Sequence, residues 1–151
     1  MVFSIVPLIA GLAGVAVMTL FLRRARFFHL PETQMIRAIG SMITKDTERA
    51  LLPGTLIHTV AGVFFAYFYA FFLTTAPDAQ QSIVLVTVVC TIIGFVHGLM
   101  VTLFLVISVA QYHPVEQFRK LEPGDMAAHV IAHVSYGATV GFLLGWLPTV
   151  F

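Results

Sequence analysis

Charge is scarce in this chain and confined to a few places. Charged residues make up 10% of its 151 residues, and 59% are hydrophobic. Average soluble proteins carry about 25% charged residues. All eight Lys and Arg residues lie between Arg23 and Arg49 or at Arg119 and Lys120. Four long apolar segments without any charge flank these two basic stretches, so an ordinary soluble domain is excluded.

The four apolar segments predict an integral membrane protein. They are residues 2–22, 56–75, 82–111 and 126–147, and a membrane-spanning helix needs about 20 such residues. Segment 82–111 is longer than needed, so we expect it to tilt or to project from the bilayer. The predicted fold class is all-α, with one domain over residues 1–151 built as a four-helix membrane bundle.

The basic stretches also predict the orientation of the chain. Loops rich in Lys and Arg stay on the cytoplasmic side of a membrane. Each basic stretch joins two neighbouring spans, so we expect both termini on the non-cytoplasmic side. The expected location is the bacterial inner membrane, with the lipid bilayer as the first partner. Nothing in the charge pattern indicates nucleic-acid binding.

Other absences narrow the function. Cys90 is the single cysteine, which excludes an intramolecular disulfide and a thiolate metal cluster. The sequence has no Ser-His-Asp ordering, phosphate-binding glycine loop or metallopeptidase helix signature. The spans carry no Asp, Glu, Lys or Arg, which argues against an autonomous ion-coupled transporter. No catalytic residue is predicted, and enzyme activity is not expected.

The loop between the first two spans carries a helical pattern of its own. Pro31 suits the start of a helix, and apolar residues then recur at helical spacing. These residues are Met35, Ile36, Ile39, Met42 and Ile43. The pattern predicts a short amphipathic helix at the membrane surface with its apolar face towards the lipid.

The spans contain a two-fold repeat. Gly11–Leu22 in the first span is similar to Gly94–Leu105 in the third, since both end in Thr-Leu-Phe-Leu. His58 in the second span and His133 in the fourth are each followed four residues later by a glycine. This similarity predicts a duplicated helical hairpin, with the symmetry axis along the membrane normal.

Small residues recur every four positions along the last three spans. In lipid, small residues mark close contact between helices. The glycines predicted to serve helix packing are Gly62, Gly94, Gly98, Gly137 and Gly141. The phenylalanine-rich face of the second span is expected to point outwards, with Tyr69 and Trp146 near the outer membrane interface.

Short motifs in all four spans carry a family resemblance. They are Gly11–Leu22, the segment with His58, Gly62 and Tyr69, residues 94–98 (Gly-Phe-Val-His-Gly), and residues 133–137 (His-Val-Ser-Tyr-Gly). These motifs resemble those of the YagU-like family of small, uncharacterised bacterial membrane proteins. The resemblance implies a four-span architecture and repeated intramembrane histidines, but no established chemistry. The charged first loop and residues 113–125 have no counterpart in it.

Two histidines at equivalent positions of the repeat predict a cofactor site. His58 and His133 would face each other across the pseudo-two-fold axis as axial ligands of a haem or (bacterio)chlorophyll, or as part of a metal site. Gly62 and Gly137, one turn further along, would make room for a flat macrocycle.

Two further histidines extend this predicted site. His129, one turn before His133, would be a second ligand or support one. His97 lies roughly 21 Å from the inner end of its span, at a depth where ionisable groups are costly and often functional. The alternative is that these imidazoles only hydrogen-bond carbonyls or hydroxyls of neighbouring helices. The available hydroxyl partners are Thr59, Thr102 and Ser135.

A metal site at the cytoplasmic rim is a separate hypothesis. His113 and Glu116 are three residues apart, and His129 begins the next span. Imidazole and carboxylate groups together suit zinc, iron or copper. Further acidic residues in the two basic loops are Glu32, Glu122 and Asp125. The spacing matches no established metal motif, and such residues equally serve to solvate a membrane-surface loop.

These observations favour a protein that acts by association. We expect an accessory or structural subunit of a larger membrane complex, respiratory or photosynthetic, in contact with other membrane subunits or with itself. An autonomous haem- or metal-binding membrane protein, with bis-histidine ligation by His58 and His133, is the alternative. A third reading is an oligomeric channel or small-solute carrier lined by the glycine and histidine stripes.

Overall fold

A computed structural model describes residues 4–147, without the side chains at positions 81 and 108. The described residues form five α-helices, and they contain no β-strand. The helices are α1 (Val6–Arg23), α2 (Met35–Thr44), α3 (Leu51–Thr74), α4 (Ile83–Phe104) and α5 (Pro123–Trp146). Short 3-10 turns occupy Ala25–Phe28, Pro77–Gln81 and Glu116–Phe118, and α4 continues as π-helical turns over Leu105–Ala110.

Four of these helices are long and apolar enough to cross a membrane, so the predicted four-span fold is confirmed. They are α1, α3, α5 and α4 with its continuation to Ile107. Helix α3 begins at Leu51, five residues before the predicted span, because Pro53 sits in its first turn, where proline is tolerated. Residues 2 and 3 of the first predicted span lie outside the described part of the chain.

The four spans form a curved row in the order α3, α1, α5, α4. Helix α5 packs closely on both α4 and α1, and α1 packs on α3. By contrast, the backbones of α3 and α4, which end the row, come close to each other at very few positions. A closed bundle would bring α3 and α4 together as tightly as α1 and α5. The bundle is therefore open on one side.

Glycines set the closeness of the packed pairs. A side chain at Gly137 would overlap the backbone carbonyl of Cys90 and crowd Gly94 on α4, and one at Gly11 would crowd Gly62 on α3. These two contacts hold equivalent positions in the two halves of the repeat. The absence of a side chain at Gly98 likewise lets α5 pack closely on α4, and the absence of one at Gly141 lets α4 pack closely on α5.

Helix α2 confirms the short helix predicted in the first loop. It crosses the start of α3 with backbone against backbone, since a side chain at Gly40 would overlap the carbonyl of Ala50, and one at Gly54 would overlap the carbonyl of Ile36. Ser41, which faces this crossing, is fully buried and donates its hydroxyl to the Arg37 carbonyl at 2.6 Å. Helix α2 is thus fixed to the bundle rather than attached loosely at its surface.

The expected position of Tyr69 near the outer membrane interface stays a prediction, but its side chain faces the interior of the bundle. Its side chain is completely buried, and its ring meets the ring of Tyr136 edge to face at 5.8 Å. A tyrosine inside a bundle can satisfy its hydroxyl with a neighbouring polar group, which removes the need for the interface. Trp146 ends α5 and is 61% exposed, stacked on Phe142.

Candidate functional site

The main candidate site is a partly open cavity of about 430 Å³ lined by residues of α1, α2, α3 and α5 and by residues 101–109 at the end of α4, which we call the histidine cavity. His58, His129 and His133 line it, and its other lining residues are apolar. Helix α2 covers one side with Met35 and Ile39. The sequence pattern predicted an apolar face on α2, and this face lines a cavity that contains histidines as well as apolar side chains.

Two of these histidines have a defined protonation pattern. On α5, His129 Nδ1 lies 2.7 Å from the Asp125 carbonyl oxygen, and His133 Nδ1 lies 2.8 Å from the His129 carbonyl oxygen. A carbonyl can only accept a hydrogen bond, so each neutral ring carries its proton on Nδ1. The Nε2 atom of each ring is therefore left with a free lone pair.

Both residues are buried, and the Nε2 atom of His129 is itself shielded from solvent. His129 is 2% exposed and His133 is 8% exposed. Among residues 4–147, neither His129 Nε2 nor His58 Nε2 has a hydrogen-bond partner, and both atoms are shielded from solvent. Leaving a buried acceptor unsatisfied costs about 1–3 kcal/mol. His129 Nε2 is such an acceptor, and His58 Nε2 is a second buried ring nitrogen without a partner on the same cavity.

His58 and His129 separate the apolar cavity from two polar spaces at the end of the bundle that carries the basic loops. His58 also lines a space of about 250 Å³ together with Arg23, Glu32 and Arg37. His129 also lines a space of about 270 Å³ that includes Lys120 and Asp125. Each imidazole thus lies between a space lined by charged residues and the apolar histidine cavity.

A second space lies between α3 and α4, and we call it the aromatic furrow. Its volume is about 740 Å³, and it is lined by Phe65, Phe68, Tyr69 and Phe72 of α3 and by apolar residues of α4 from Val89 to Phe104. The furrow exists because α3 and α4 diverge. Among the described residues, its only polar lining groups are the Tyr69 hydroxyl and His97, which bond each other, with 3.2 Å between the hydroxyl oxygen and His97 Nδ1.

His97 connects the furrow with the histidine cavity. Its ring lies 3.9 Å from the ring of Phe65 and 4.9 Å, edge to face, from the ring of His133, measured between centroids. The four histidines predicted for a cofactor site are thereby distributed over two neighbouring spaces: His58, His129 and His133 in the cavity, and His97 at its junction with the furrow.

The predicted room for a flat macrocycle at Gly62 and Gly137 is not there. The space above Gly62 is filled by the side chain of Val15, and the space above Gly137 by the backbone of α4 at Cys90 and Gly94. Helix contact uses both glycines, because a neighbouring helix fills such a gap with favourable packing. A planar ligand would have to occupy the histidine cavity itself.

The residues of the predicted rim metal site have structural partners. His113 is completely buried, with Nε2 2.9 Å from the Ala38 carbonyl oxygen and Nδ1 accepting the Val115 N–H at 3.0 Å. Both ring nitrogens are therefore occupied, and the ring ties this loop to α2. Glu116 begins a 3-10 turn. No group of three His, Cys, Asp or Glu residues in the described ranges is close enough to hold a metal ion.

The other acidic residues of that constellation also have local structural partners. Asp125 accepts the Glu122 backbone N–H at 3.0 Å and caps the first turn of α5. Glu32 forms an ion pair with Arg26 at 3.0 Å. These contacts order the basic end of the bundle around the histidine cavity.

Sequence reasoning overlooked Tyr136. Its side chain is 1% exposed and its hydroxyl donates to the Gly62 carbonyl at 2.5 Å, joining α5 to α3. Its ring covers Gly14 of α1, where a side chain would collide with it. A tyrosine within a stripe of small residues was the available signal, because a buried hydroxyl must find a partner.

No protein-family model, curated protein or solved structure matches this chain. The resemblance of its motifs to the YagU-like family therefore stays an expectation.

Proposed function

We propose that this protein binds a lipid-soluble ligand inside the membrane, using the Nε2 atoms of His58, His129 and His133 in the histidine cavity. The observation that carries the proposal is the pair of buried, unpartnered Nε2 atoms on His58 and His129. Hydrogen bonding of Nδ1 to a backbone carbonyl orients an imidazole and prepares Nε2 as the ligand atom. His129 and His133 both have this arrangement.

The alternative role, in which the histidines only fasten helices together, accounts for part of this arrangement. A histidine that serves packing alone would be expected to use both ring nitrogens, as His113 does. In the cavity, one nitrogen of His129 is bonded and the other is not. The difference between these two buried histidines supports a ligand site rather than a purely structural role.

Two classes of ligand would use a free Nε2 lone pair. One is a metal-centred macrocycle such as haem or a chlorophyll, whose metal would be held by imidazole from the cavity and would supply redox or light-absorbing chemistry there. The other is a molecule with a hydroxyl group that donates a hydrogen bond. A volume of about 430 Å³ lies within the usual size range of ligand sites. Both classes are therefore included in the test.

The test is to purify the protein gently in detergent and to analyse what it carries. Visible spectra of the oxidised and reduced protein, metal analysis and mass spectrometry of an organic extract would be compared for the wild type, H129F and H58F. We expect a stoichiometric ligand in the wild type and at least a tenfold lower load in both variants. The exposed His29, changed to asparagine, is the control because asparagine tolerates its left-handed backbone.

Two outcomes would contradict the proposal. The first is a folded wild-type protein that carries no ligand and takes none up. The second is a full ligand load in folded H129F and H58F. Circular dichroism and a single size-exclusion peak establish that each variant is folded before its load is compared.

A role as an accessory subunit is the second candidate function, and the outer face of α3 favours it. Phe64 and Phe71 are 62% and 67% exposed and line neither the furrow nor the cavity. Such a face is available to another membrane subunit, to a second copy of the chain or to lipid. Co-purification of a partner at fixed stoichiometry, lost in F64A/F71A but kept in the furrow variant F68A, would support the subunit role. Unchanged co-purification would contradict it.

The proposed location is the bacterial inner membrane with the basic loops in the cytoplasm. All eight Lys and Arg residues lie at that end, as the positive-inside rule requires. In a C90S background, Q117C should react with a membrane-impermeant thiol reagent only after the membrane is opened. T75C should react in intact spheroplasts, and the opposite pattern would reverse the topology.

A further inference from the structure

We propose that the ligand is a single-tailed amphiphile, with a hydroxyl-bearing head in the histidine cavity and a long apolar tail in the aromatic furrow. This inference rests on the proposed function and names the chemical class of its ligand. Lipid quinols and long-chain phenols or alcohols share this chemistry.

The two spaces adjoin each other. Val101 and Phe104 line both the histidine cavity and the aromatic furrow. At the same level the ring of His97, in the furrow, contacts the ring of His133, in the cavity. A molecule longer than either space would therefore pass from one to the other beside Val101 without crossing a packed helix interface.

The furrow has the chemistry of a tail site. Apart from Tyr69 and His97, every residue lining it is apolar, and those two polar groups bond each other. The lining residues of α4 run from Val89 to Phe104, which is about 22 Å along a helix. This length and this apolar lining suit an extended acyl or isoprenoid chain rather than a compact or polar molecule.

The cavity has the chemistry of a head-group site. The free Nε2 of His129 is an acceptor because Nδ1 bonds the Asp125 carbonyl, so the group that completes it is a donor such as a hydroxyl. No Lys, Arg, Asp or Glu is among the described residues that line the cavity. A phosphate head would lack a counter-charge there, because the guanidinium groups of Arg23 and Arg37 lie in the polar space on the other side of His58.

The gap between α3 and α4 also supplies the entry route. The backbones of these two helices come close to each other at very few positions, so the furrow opens sideways to the surrounding lipid. On the opposite side of the row, α1 and α5 are in close contact. A lipid-soluble ligand can therefore reach the histidines from within the bilayer, without passing through the aqueous end covered by α2.

Three probes separate the contributions of head and tail: 4-decylphenol, decylbenzene, which lacks the hydroxyl, and phenol, which lacks the tail. Each is added to ligand-stripped wild-type protein in detergent at equal mole fraction, and the thermal unfolding midpoint is followed against probe concentration. We expect 4-decylphenol to bind about tenfold more tightly than decylbenzene, the usual value of one buried hydrogen bond. Phenol alone should bind more weakly than either.

Two variants then locate the parts of the probe. V101F fills the junction of cavity and furrow, and it should weaken 4-decylphenol at least tenfold and phenol, which does not reach the furrow, by much less. V88F is the matched control, since Val88 is 48% exposed on the same helix and lines neither space. H129F should remove the preference for 4-decylphenol over decylbenzene without removing the binding of decylbenzene.

The outcomes distinguish this inference from the function on which it rests. Equal binding of 4-decylphenol and decylbenzene to the wild type, or equal effects of V101F and V88F, would overturn the amphiphile. If the purified protein carries a stoichiometric porphyrin that requires His129, the proposed function stands and the amphiphile is wrong. If neither a bound ligand nor any probe binding is found, both fail.

Discussion

The two inner helices of the row, α1 and α5, differ from the two outer helices, α3 and α4, in how much of their surface is buried within the protein. The most apolar windows of α1 and α5 are 44% and 50% buried within the protein, against 28% and 22% for α3 and α4. Burial does not follow apolar character, since the mean hydropathy of these windows is 1.9 and 1.4 for α1 and α5 and 1.8 and 2.4 for α3 and α4. Helix α4 is the most apolar and the least buried, whereas α5 is the reverse.

This difference indicates which interactions hold the helices of the bundle together. Lipid tails solvate large apolar side chains as well as another helix does, so hydrophobicity does not draw helices together in a membrane. Close backbone approach and interhelical hydrogen bonds do. Helix α5 has both, through Gly137 and Gly141 against α4 and through the Tyr136 hydroxyl on α3. The facing surfaces of α3 and α4 carry large side chains, so the two helices meet through the rings of Phe65, Tyr69 and His97 and not through close backbone approach.

The sequence repeat allows the α1–α5 interface to be compared with the α3–α4 interface at equivalent positions. If the two hairpins were related by an exact two-fold axis, α3 would meet α4 as α1 meets α5. At the α1 position that corresponds to His97 stands Gly14, and Tyr136 packs directly over it. In α4 the larger imidazole of His97 takes that place beneath Phe65. The α1–α5 interface therefore packs closely over Gly14. At the α3–α4 interface the rings of Phe65 and His97 hold the two backbones apart, and the furrow lies there.

Filling the closed interface should have the largest effect on stability. In G137L the new side chain would overlap the Cys90 carbonyl and force α5 away from α4. We expect a loss of more than about 3 kcal/mol in the free energy of unfolding, measured by denaturation in mixed micelles. A138L adds the same side chain at the next, half-buried position and should cost much less. Equal losses would mean that the α4–α5 contact is not close.

Removing the hydrogen bond between α5 and α3 should have an intermediate effect. Y136F keeps the ring over Gly14 but loses the bond to the Gly62 carbonyl. We expect a loss of about 1 kcal/mol, in the range measured for interhelical bonds in membranes. Y112F is the matched control because Tyr112 is 76% exposed and should be neutral. A neutral Y136F would show that this bond does not join the two halves.

Emptying the open side should have the smallest effect. Phe68 lines the furrow and is 47% exposed. We expect F68A to lower the free energy of unfolding by less than about 0.5 kcal/mol, because lipid or detergent takes the vacated space. The same variant should weaken binding of 4-decylphenol. A loss as large as the 3 kcal/mol typical of a core phenylalanine would show that α3 and α4 are packed together.

The helices themselves were accessible from the sequence. Length and the absence of charge identified the four spans, and the spacing of apolar residues from Met35 to Ile43 identified α2. The interior-facing stripes of small residues also followed from the pattern. The burial of Tyr69 did not follow from the pattern, because the partner of its hydroxyl is His97 of another helix.

The candidate site was accessible only in part. The equivalence of His58 and His133 predicted that they approach each other, and they do line one cavity. The free Nε2 atoms did not follow from the sequence, since a histidine four residues after a carbonyl can bond it with either nitrogen or with neither. The glycines beside them predicted empty space, but in a packed bundle such space is filled by whichever helix lies nearest.

The sequence by itself determined that the chain crosses a membrane four times, because burying 20 uncharged residues in lipid depends on composition and length alone. It also determined which faces can approach closely, because only small residues let backbones meet. The tertiary structure alone decided which helices are neighbours and which of the six histidines keep a free nitrogen. Those outcomes depend on contacts between distant segments, such as Tyr136 with Gly62 and His113 with Ala38. No local pattern specifies them, since each partner is a backbone carbonyl that every residue carries.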